Sequence, residues 1–183
     1  MKIFDNKFIY KYRYGVIIFF VMLVFLFWDQ LFKMFTDGYT INILGDFLYF
    51  NSVHNYGAAY GIFAGKTLGL IITTSVILVL LIVFNWFYKG KSIFYCWAMG
   101  LILSGAVGNL IDRVFCGYVR DFIKLKIFSF TCNIADICLC VGIALFAVHI
   151  IFLDKTPRQK KKVKVPKNPP KVAINERDED GDD

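Results

Sequence analysis

The sequence is short of charge where a soluble domain of its size would need it. Of its 183 residues only 19% are charged while 57% are hydrophobic, and the mean hydropathy is +0.57. Sixteen of the 35 charges lie in residues 154–183 and five in residues 1–14, which leaves 14 for the 139 residues from Gly15 to Leu153. So few charges cannot cover the surface of a soluble fold. A soluble enzyme, a disulfide-rich secreted module and a disordered chain are all disfavoured, and an integral membrane protein is the expected class. The net charge of +7 is spread over head, middle and tail. It therefore builds no concentrated basic face of the kind that tracks a phosphate backbone, and no nucleic-acid partner is expected.

Other absences narrow the chemistry. Five cysteines, an odd number, argue against a complete disulfide framework. Cys96, Cys138 and Cys140 sit in apolar runs and read as packed thiols, whereas Cys116 and Cys132 lie in one outer connection and leave a pairing open. There are two histidines, His54 and His149, which fall on opposite sides of a membrane, and no second cysteine pair at ligand spacing, so no metal is expected. No Ser-His set stands out, and a Cys-His pair built on His54 is a weak alternative. No internal repeat is visible.

What the chain does have is four apolar runs long enough to cross about 30 Å of hydrocarbon: Gly15–Phe35, Thr67–Tyr88, Ile93–Ile111 and Ile134–Leu153. The basic head and first run also fit a signal peptide, but Trp28, Asp29, Gln30 and Leu31 follow instead of a small-residue cleavage site, so an uncleaved span is expected. That span closes on Asp29 and Lys33, one helical turn apart and therefore on one face. Lysines and arginines mark the head (Lys2, Lys7, Lys11, Arg13), the short link (Lys89, Lys91) and the start of the tail (Lys155, Arg158, Lys160) as cytoplasmic. The connections 36–66 and 112–133 then face outward. The organisation expected is a basic cytoplasmic head, 1–14, a four-helix transmembrane domain, 15–153, and a disordered cytoplasmic tail, 154–183, rich in Lys and Pro and acidic at its end. Alternation around Tyr39, Ile41, Ile43 and Phe47–Phe50 predicts short outer strands, and residues 119–127 read as an amphipathic segment lying on the bilayer.

Polar residues in or beside a span are costly and default to functional hypotheses. Asn109, Asp112 and Arg113 share a face at the outer end of the third run, Asp121 lies in the second outer connection, and Asn133 and Asp136 open the fourth run. Each has a structural alternative: Asn133 as an N-cap, Asp136 as a complement to the helix dipole, Asp112 with Arg113 as a boundary ion pair. Together with Gly105, Gly108 and Gly117, which permit close backbone approach, they point to one polar site on the outer face. With no thiol, hydroxyl or metal constellation, acid-base work falls to carboxylates. A desolvated pair can share a proton, one member activating water while the other protonates a carbonyl. Asp112, Asp121 and Asp136 all remain candidates on these grounds.

The order of motifs carries a resemblance. Asp29-Gln30, then Asn55-Tyr-Gly-Ala-Ala-Tyr-Gly61, then Gly105-Ala-Val-Gly-Asn-Leu-Ile-Asp-Arg113, then Gly117-Tyr-Val-Arg-Asp-Phe122, then Asn133-Ile-Ala-Asp136 resemble the lipoprotein signal peptidases of bacteria, over residues 15–153. The resemblance implies a four-helix inner-membrane aspartyl peptidase, without cofactor, that cleaves diacylglyceryl-modified prolipoproteins before the lipidated cysteine. It implies a monomer, contacts with membrane lipids and inhibition by globomycin-type cyclic peptides. It assigns the catalytic pair to Asp121 and Asp136, and substrate binding or support to Asn109, Arg113, Asn133, Asn55, Asp29 and Gly108, leaving Asp112 a structural partner. Three positions depart from the family pattern: Arg120 precedes the first catalytic position where an apolar residue is usual, Cys132 precedes Asn133, and Tyr60 replaces a Phe. An inward-pointing Arg120 would favour the ionised form of Asp121. Two rival readings are a small ion- or proton-coupled transporter, which calls for an acid at the bilayer midplane and repeated halves, and a noncatalytic scaffold that binds lipoprotein precursors.

Overall fold

The computed structural model describes residues 6–45, 47–57, 66–127 and 130–154, with the side chains of residues 6–11 left aside. The tail beyond residue 154, the first five residues and the motif positions 58–61 lie outside the described residues. Four helices, α1 (Asn6–Thr36), α2 (Thr67–Phe87), α3 (Ile93–Phe115) and α4 (Ile134–Val148), are joined by four strands, β1 (Thr40–Leu44), β2 (Leu48–Asn55), β3 (Val119–Leu125) and β4 (Thr131–Cys132). Helix α4 continues as a π-helical turn, His149–Leu153. Four stretches, Tyr12–Thr36, Thr67–Phe87, Ile93–Phe115 and Ile134–Leu153, are long and apolar enough to cross a membrane. The chain is a multi-pass membrane protein.

Helix α3 is the centre of the bundle. Its span is 72% buried, against 17%, 6% and 17% for the other three, so their exposed Phe, Leu, Ile and Val side chains form the apolar outer surface. Small residues let the neighbours in. A Cβ on Gly105 would collide with the Ala135 carbonyl and Leu139 of α4, and one on Gly108 would come within 2.7 Å of the Asp29 carboxylate of α1. These two positions bring α1, α3 and α4 together just below the polar cluster. Gly117 acts through its backbone conformation instead, because at φ +84° it makes the turn that leads α3 into β3.

Helix α3 runs one turn past the expected end at Ile111, so Asp112 and Arg113 are helical residues, not the start of a connection. The apolar run stops at the first charge, but the helix does not, because Asp112 finds cationic partners inside the fold. Residues 119–125, expected as a segment lying on the bilayer, form β3 instead. Their amphipathic alternation is that of a strand between β2 and β4 in an antiparallel sheet of order β1-β2-β3-β4. Asp121 stands opposite Val53, Arg120 opposite His54 and Val119 opposite Asn55. Phe122 stacks on Phe32 of α1 and meets Phe50 of β2 edge-on, which anchors the sheet to the helical bundle.

At the end of the bundle away from the sheet, His149 is fully buried, with Nε2 2.9 Å from the Tyr88 hydroxyl and 3.1 Å from the Gly90 carbonyl. The two histidines thus sit at opposite ends of the bundle. All five cysteines are free. Cys96 and Cys138 are packed as expected, but Cys140 is exposed because its place on α4 turns it outward rather than against α3.

Candidate active site

A cavity of about 360 Å³ opens where the sheet meets the ends of α3 and α4. Asp121, Asp136, Asn109, Arg113 and Asn55 line it on one side, and Val119, Phe130, Leu139 and Cys140 give it an apolar wall. Asp121 reaches it from β3, whose alternation sends Val119 and Asp121 to the cavity face and Arg120 to the other. Asp136 reaches it from the first turn of α4.

Asn133 links the two carboxylates. Its Nδ2 donates to Asp121 Oδ1 at 2.6 Å and to Asn109 Oδ1 at 3.1 Å, while its Oδ1 accepts the Asp136 backbone N–H at 2.8 Å. Asp136 Oδ2 accepts the Asn133 N–H at 3.2 Å in return, which completes a capping box. The expected helix cap is therefore present, and it does not compete with the polar site: the same cap holds Asp136 at the cavity. Asn109 Nδ2 donates to Asp136 Oδ1 at 2.8 Å, and Asn55 Nδ2 donates to Asp121 Oδ2 at 3.0 Å. Arg113 donates to the Asn109 and Gly57 carbonyls, at 3.4 and 3.1 Å, and keeps its guanidinium at the cavity.

Burial pushes the Asp121 carboxyl up to about 7, and the negative charge of Asp136 adds to the effect, against the Asn55 and Asn133 N–H donors that favour the anion. Asp121 therefore holds a proton to much higher pH than an ordinary carboxyl.

Behind the pair lies a set of buried charges. Asp29 and Asp112 are fully buried, and Lys33 Nζ, also fully buried, sits 2.8 Å from Asp29 and 3.2 Å from Asp112. Arg120 Nη2 is 2.7 Å from Asp112 Oδ1 and 3.1 Å from Gln30 Oε1. Arg120 thus points away from Asp121, and the inward orientation that would favour the Asp121 anion does not occur. Burial works against the charge of Arg120, but contact with Asp112 outweighs this and holds the guanidinium above its ordinary value. The boundary ion pair between Asp112 and Arg113 does not form either. The two are adjacent on α3, about 100° apart around the helix, and their partners lie on different sides.

Lys33 is the site residue that sequence reasoning misses. Its spacing pairs it with Asp29 but gives it no place at the site, yet its Nζ also donates to Asn109 Oδ1 at 3.2 Å. The available signal is the i, i+4 pairing of a cation with an acid inside an otherwise apolar helix. His54 stands apart, stacked on Tyr118 and 3.3 Å from Asp37. The Cys132 thiol donates to the Ile123 carbonyl and is pushed up to about 11, first by burial and then by the two aspartates, so it is a poor nucleophile. Among the described residues no group of three or more His, Cys, Asp or Glu is arranged to hold a metal ion.

Comparison with known proteins agrees with the membrane fold and the motif order. The family described as signal peptidase (SPase) II matches residues 21–152. The lipoprotein signal peptidase of Fusobacterium nucleatum subsp. nucleatum is 35% identical over 154 residues, which cover 80% of this chain and 93% of the relative. That of Clostridium novyi is 39% identical over 123 residues, 65% of this chain and 83% of the other. A bacterial membrane enzyme solved by the in meso method at 2.3 Å superposes with a TM-score of 0.67 at 33% identity, covering 80% of this chain and 94% of that one. The chain belongs to the signal peptidase II family, a family of aspartic peptidases.

Proposed function

We propose that the protein removes the signal peptide from diacylglyceryl-modified prolipoproteins, cutting before the lipidated cysteine, with Asp121 and Asp136 as the catalytic residues. The observation that carries the reading is two carboxylates on one cavity, joined through Asn133, with Asp121 poised near neutrality by burial and by the charge of its neighbour. Asp136, in its ionised form, takes a proton from a water held between the pair. Asp121, protonated, donates to the scissile carbonyl as the water attacks. The gem-diol intermediate collapses as the proton taken up by Asp136 passes to the leaving amine and one hydroxyl of the intermediate returns its proton to Asp121, which forms the new carboxyl group and restores the dyad to its starting state. Arg113 and the Asn109 amide, which line the cavity, are the donors nearest to the developing oxyanion and the substrate backbone, while buried Asn133, with both amide hydrogens committed to Asp121 and Asn109, supports the site from behind. The acyl chains lie along Val119, Leu139 and the lipid-facing side of α4.

The distribution of Lys and Arg supports an inner-membrane orientation with both termini in the cytoplasm and the sheet outside. Globomycin-type peptides would occupy the same cavity, and the enzyme acts as a monomer. A coupled transporter is the weaker reading, because the buried charges gather at one end of the bundle around the sheet. The test is cleavage of a lipidated precursor peptide by purified protein. Asp121→Asn and Asp136→Asn should each lose at least about 10²-fold in kcat with unchanged melting temperature, and cleavage at the wild-type rate by either variant overturns the assignment. Retained binding without cleavage in the unmodified protein would favour the scaffold.

A further inference from the structure

The residues immediately before the two aspartates are both tied to the same buried ion set. The Arg120 backbone N–H donates to Asp112 Oδ2 at 3.0 Å, and its side chain reaches Asp112 Oδ1. The Ala135 backbone N–H donates to Asp29 Oδ1 at 2.8 Å. Lys33 Nζ bridges Asp29 and Asp112, and Gln30 spans the set, donating to Asp29 Oδ2 at 3.1 Å and accepting from Arg120 at 3.1 Å. A continuous path, Arg120–Asp112–Lys33–Asp29–Ala135, therefore runs behind Asp121 and Asp136 and joins the strand that carries one to the helix that carries the other. Two cations and two anions make the set neutral overall. Three of its four charges are fully out of solvent, and the Arg120 side chain is 14% exposed.

We propose that this tetrad is a positioning device that sets the separation of the two carboxylates, with Arg120 as the positioning residue that clamps β3 to α3. The inference rests on the reading of Asp121 and Asp136 as the catalytic pair. Its physical basis is that the other ties of β3 at this point run to β2 through Val119–Asp121, to α1 through Phe122 and to the start of α4 through Asn133, whereas Arg120 ties it to α3. The next strand, β4, has two residues and pairs with β3 only at Ile123 and Lys124. The pairing with β2 is irregular between Phe50 and Val53, immediately before the Val53–Asp121 pair. The sheet therefore fixes β3 against β2 more than against α3, and the buried Arg120–Asp112 pair resists displacement of the strand from that helix because a separated partner would leave an uncompensated charge. A strand released from the clamp lets the carboxylates drift apart. Repulsion between them weakens, and the two steps in which the pair loses its protons draw together.

The experiment measures kcat, KM and the pH profile of Arg120→Met and Arg120→Lys on a lipidated precursor peptide, with Asp121→Asn and Asp136→Asn alongside. Arg120→Met should lose about tenfold or more in kcat with KM little changed, and its alkaline limb should move to lower pH, narrowing the profile. Arg120→Lys, which keeps a cation for Asp112, should restore most of the rate and the width. A slower Arg120→Met enzyme with an unshifted profile, or one as fast as wild type, overturns the proposal. If Arg120→Met does not fold, Arg120→Gln, which keeps an N–H donor but no charge, takes its place with the same outcomes. Cleavage by the two Asp→Asn controls would overturn the catalytic reading itself, whereas inactive controls with an unmoved Arg120 profile would overturn the clamp alone.

Discussion

Removing Asn55 should move the pH dependence of cleavage upward, and the structure gives the size. Asn55 Nδ2 donates to Asp121 Oδ2 at 3.0 Å, a contact made to the anion and favouring it. A hydrogen bond to a charged group is worth about 1.5–3 kcal/mol, and about 1.4 kcal/mol corresponds to one pKa unit. Full loss would raise Asp121 by about 1–2 units above its value near 7, and because Asn55 is only half-buried, water replaces part of the bond and the lower figure is expected. The sign follows from the mechanism. Activity on the alkaline side falls when the shared proton is lost, so a group that holds its proton more tightly extends activity to higher pH. The assay is kcat/KM for a lipidated precursor peptide from about pH 5 to 9, wild type against Asn55→Ala. The maximum rate will fall as well, because Asn55 Oδ1 also holds the Gly57 N–H and the Gly57 carbonyl receives Arg113. The position of the limb is independent of that loss. An alkaline limb that stays in place or moves down in Asn55→Ala would refute the claim that this bond tunes Asp121. The shift is opposite to that expected for Arg120→Met, so the two variants separate a direct hydrogen-bond effect from a change in carboxylate spacing.

Lys33→Met leaves Asp29 and Asp112 buried with Arg120 as the remaining salt-bridge partner among the described residues, and should cost about 3–5 kcal/mol, read as a large fall in melting temperature in detergent. Gly105→Ala forces a methyl against the Ala135 carbonyl and Leu139 and should cost about 1–3 kcal/mol, whereas a variant as stable as wild type would show that α3 and α4 separate easily. A membrane-permeant alkylating reagent should label Cys140, exposed at the cavity, and spare buried Cys96 and Cys138, with intact-mass and peptide mapping as the readout. Bound globomycin should protect Cys140, and labelling unaffected by the inhibitor would argue that Cys140 faces lipid alone.

Much of the fold is legible in the sequence because the bilayer is a demanding solvent. An apolar run of about 20 residues has few alternatives to a spanning helix, and all four runs appear as helices, starting at or before the expected residue in each case. The end of α3 is misplaced for the same reason that makes the runs visible. A charge reads as the end of a span unless its partner is known, and the partners of Asp112 are Lys33 of α1, far away in the chain, and Arg120 of β3. Segment 119–127 shows the converse. Its mixture of apolar and basic residues fits either a surface-lying segment or a strand, and only pairing with β2 decides between them. The direction of Arg120 hangs on that decision: as a strand neighbour of Asp121 it must point to the opposite face, where Asp112 and Gln30 receive it.

Asn133 and Asp136 show why a structural and a chemical reading of the same residues need not exclude each other. A capping box needs a side-chain acceptor such as Ser, Thr or Asn at the first position and an acid or amide three residues on, and at the mouth of a spanning helix it places that acid at the membrane surface, here with its direction fixed by the Asn133 N–H and by the Asn109 amide. Fixing a carboxylate costs side-chain entropy and some desolvation, and here the helix start supplies one compensating bond and Asn109 of α3 the other. Asn133 then has Nδ2 left over, and it is this group that reaches Asp121. Asn133→Ser separates the two roles, since serine also caps helices well but has no amide to reach Asp121. The variant should keep its melting temperature within a few degrees while cleavage falls, and equal losses of stability and rate would mean that Asn133 serves the helix alone.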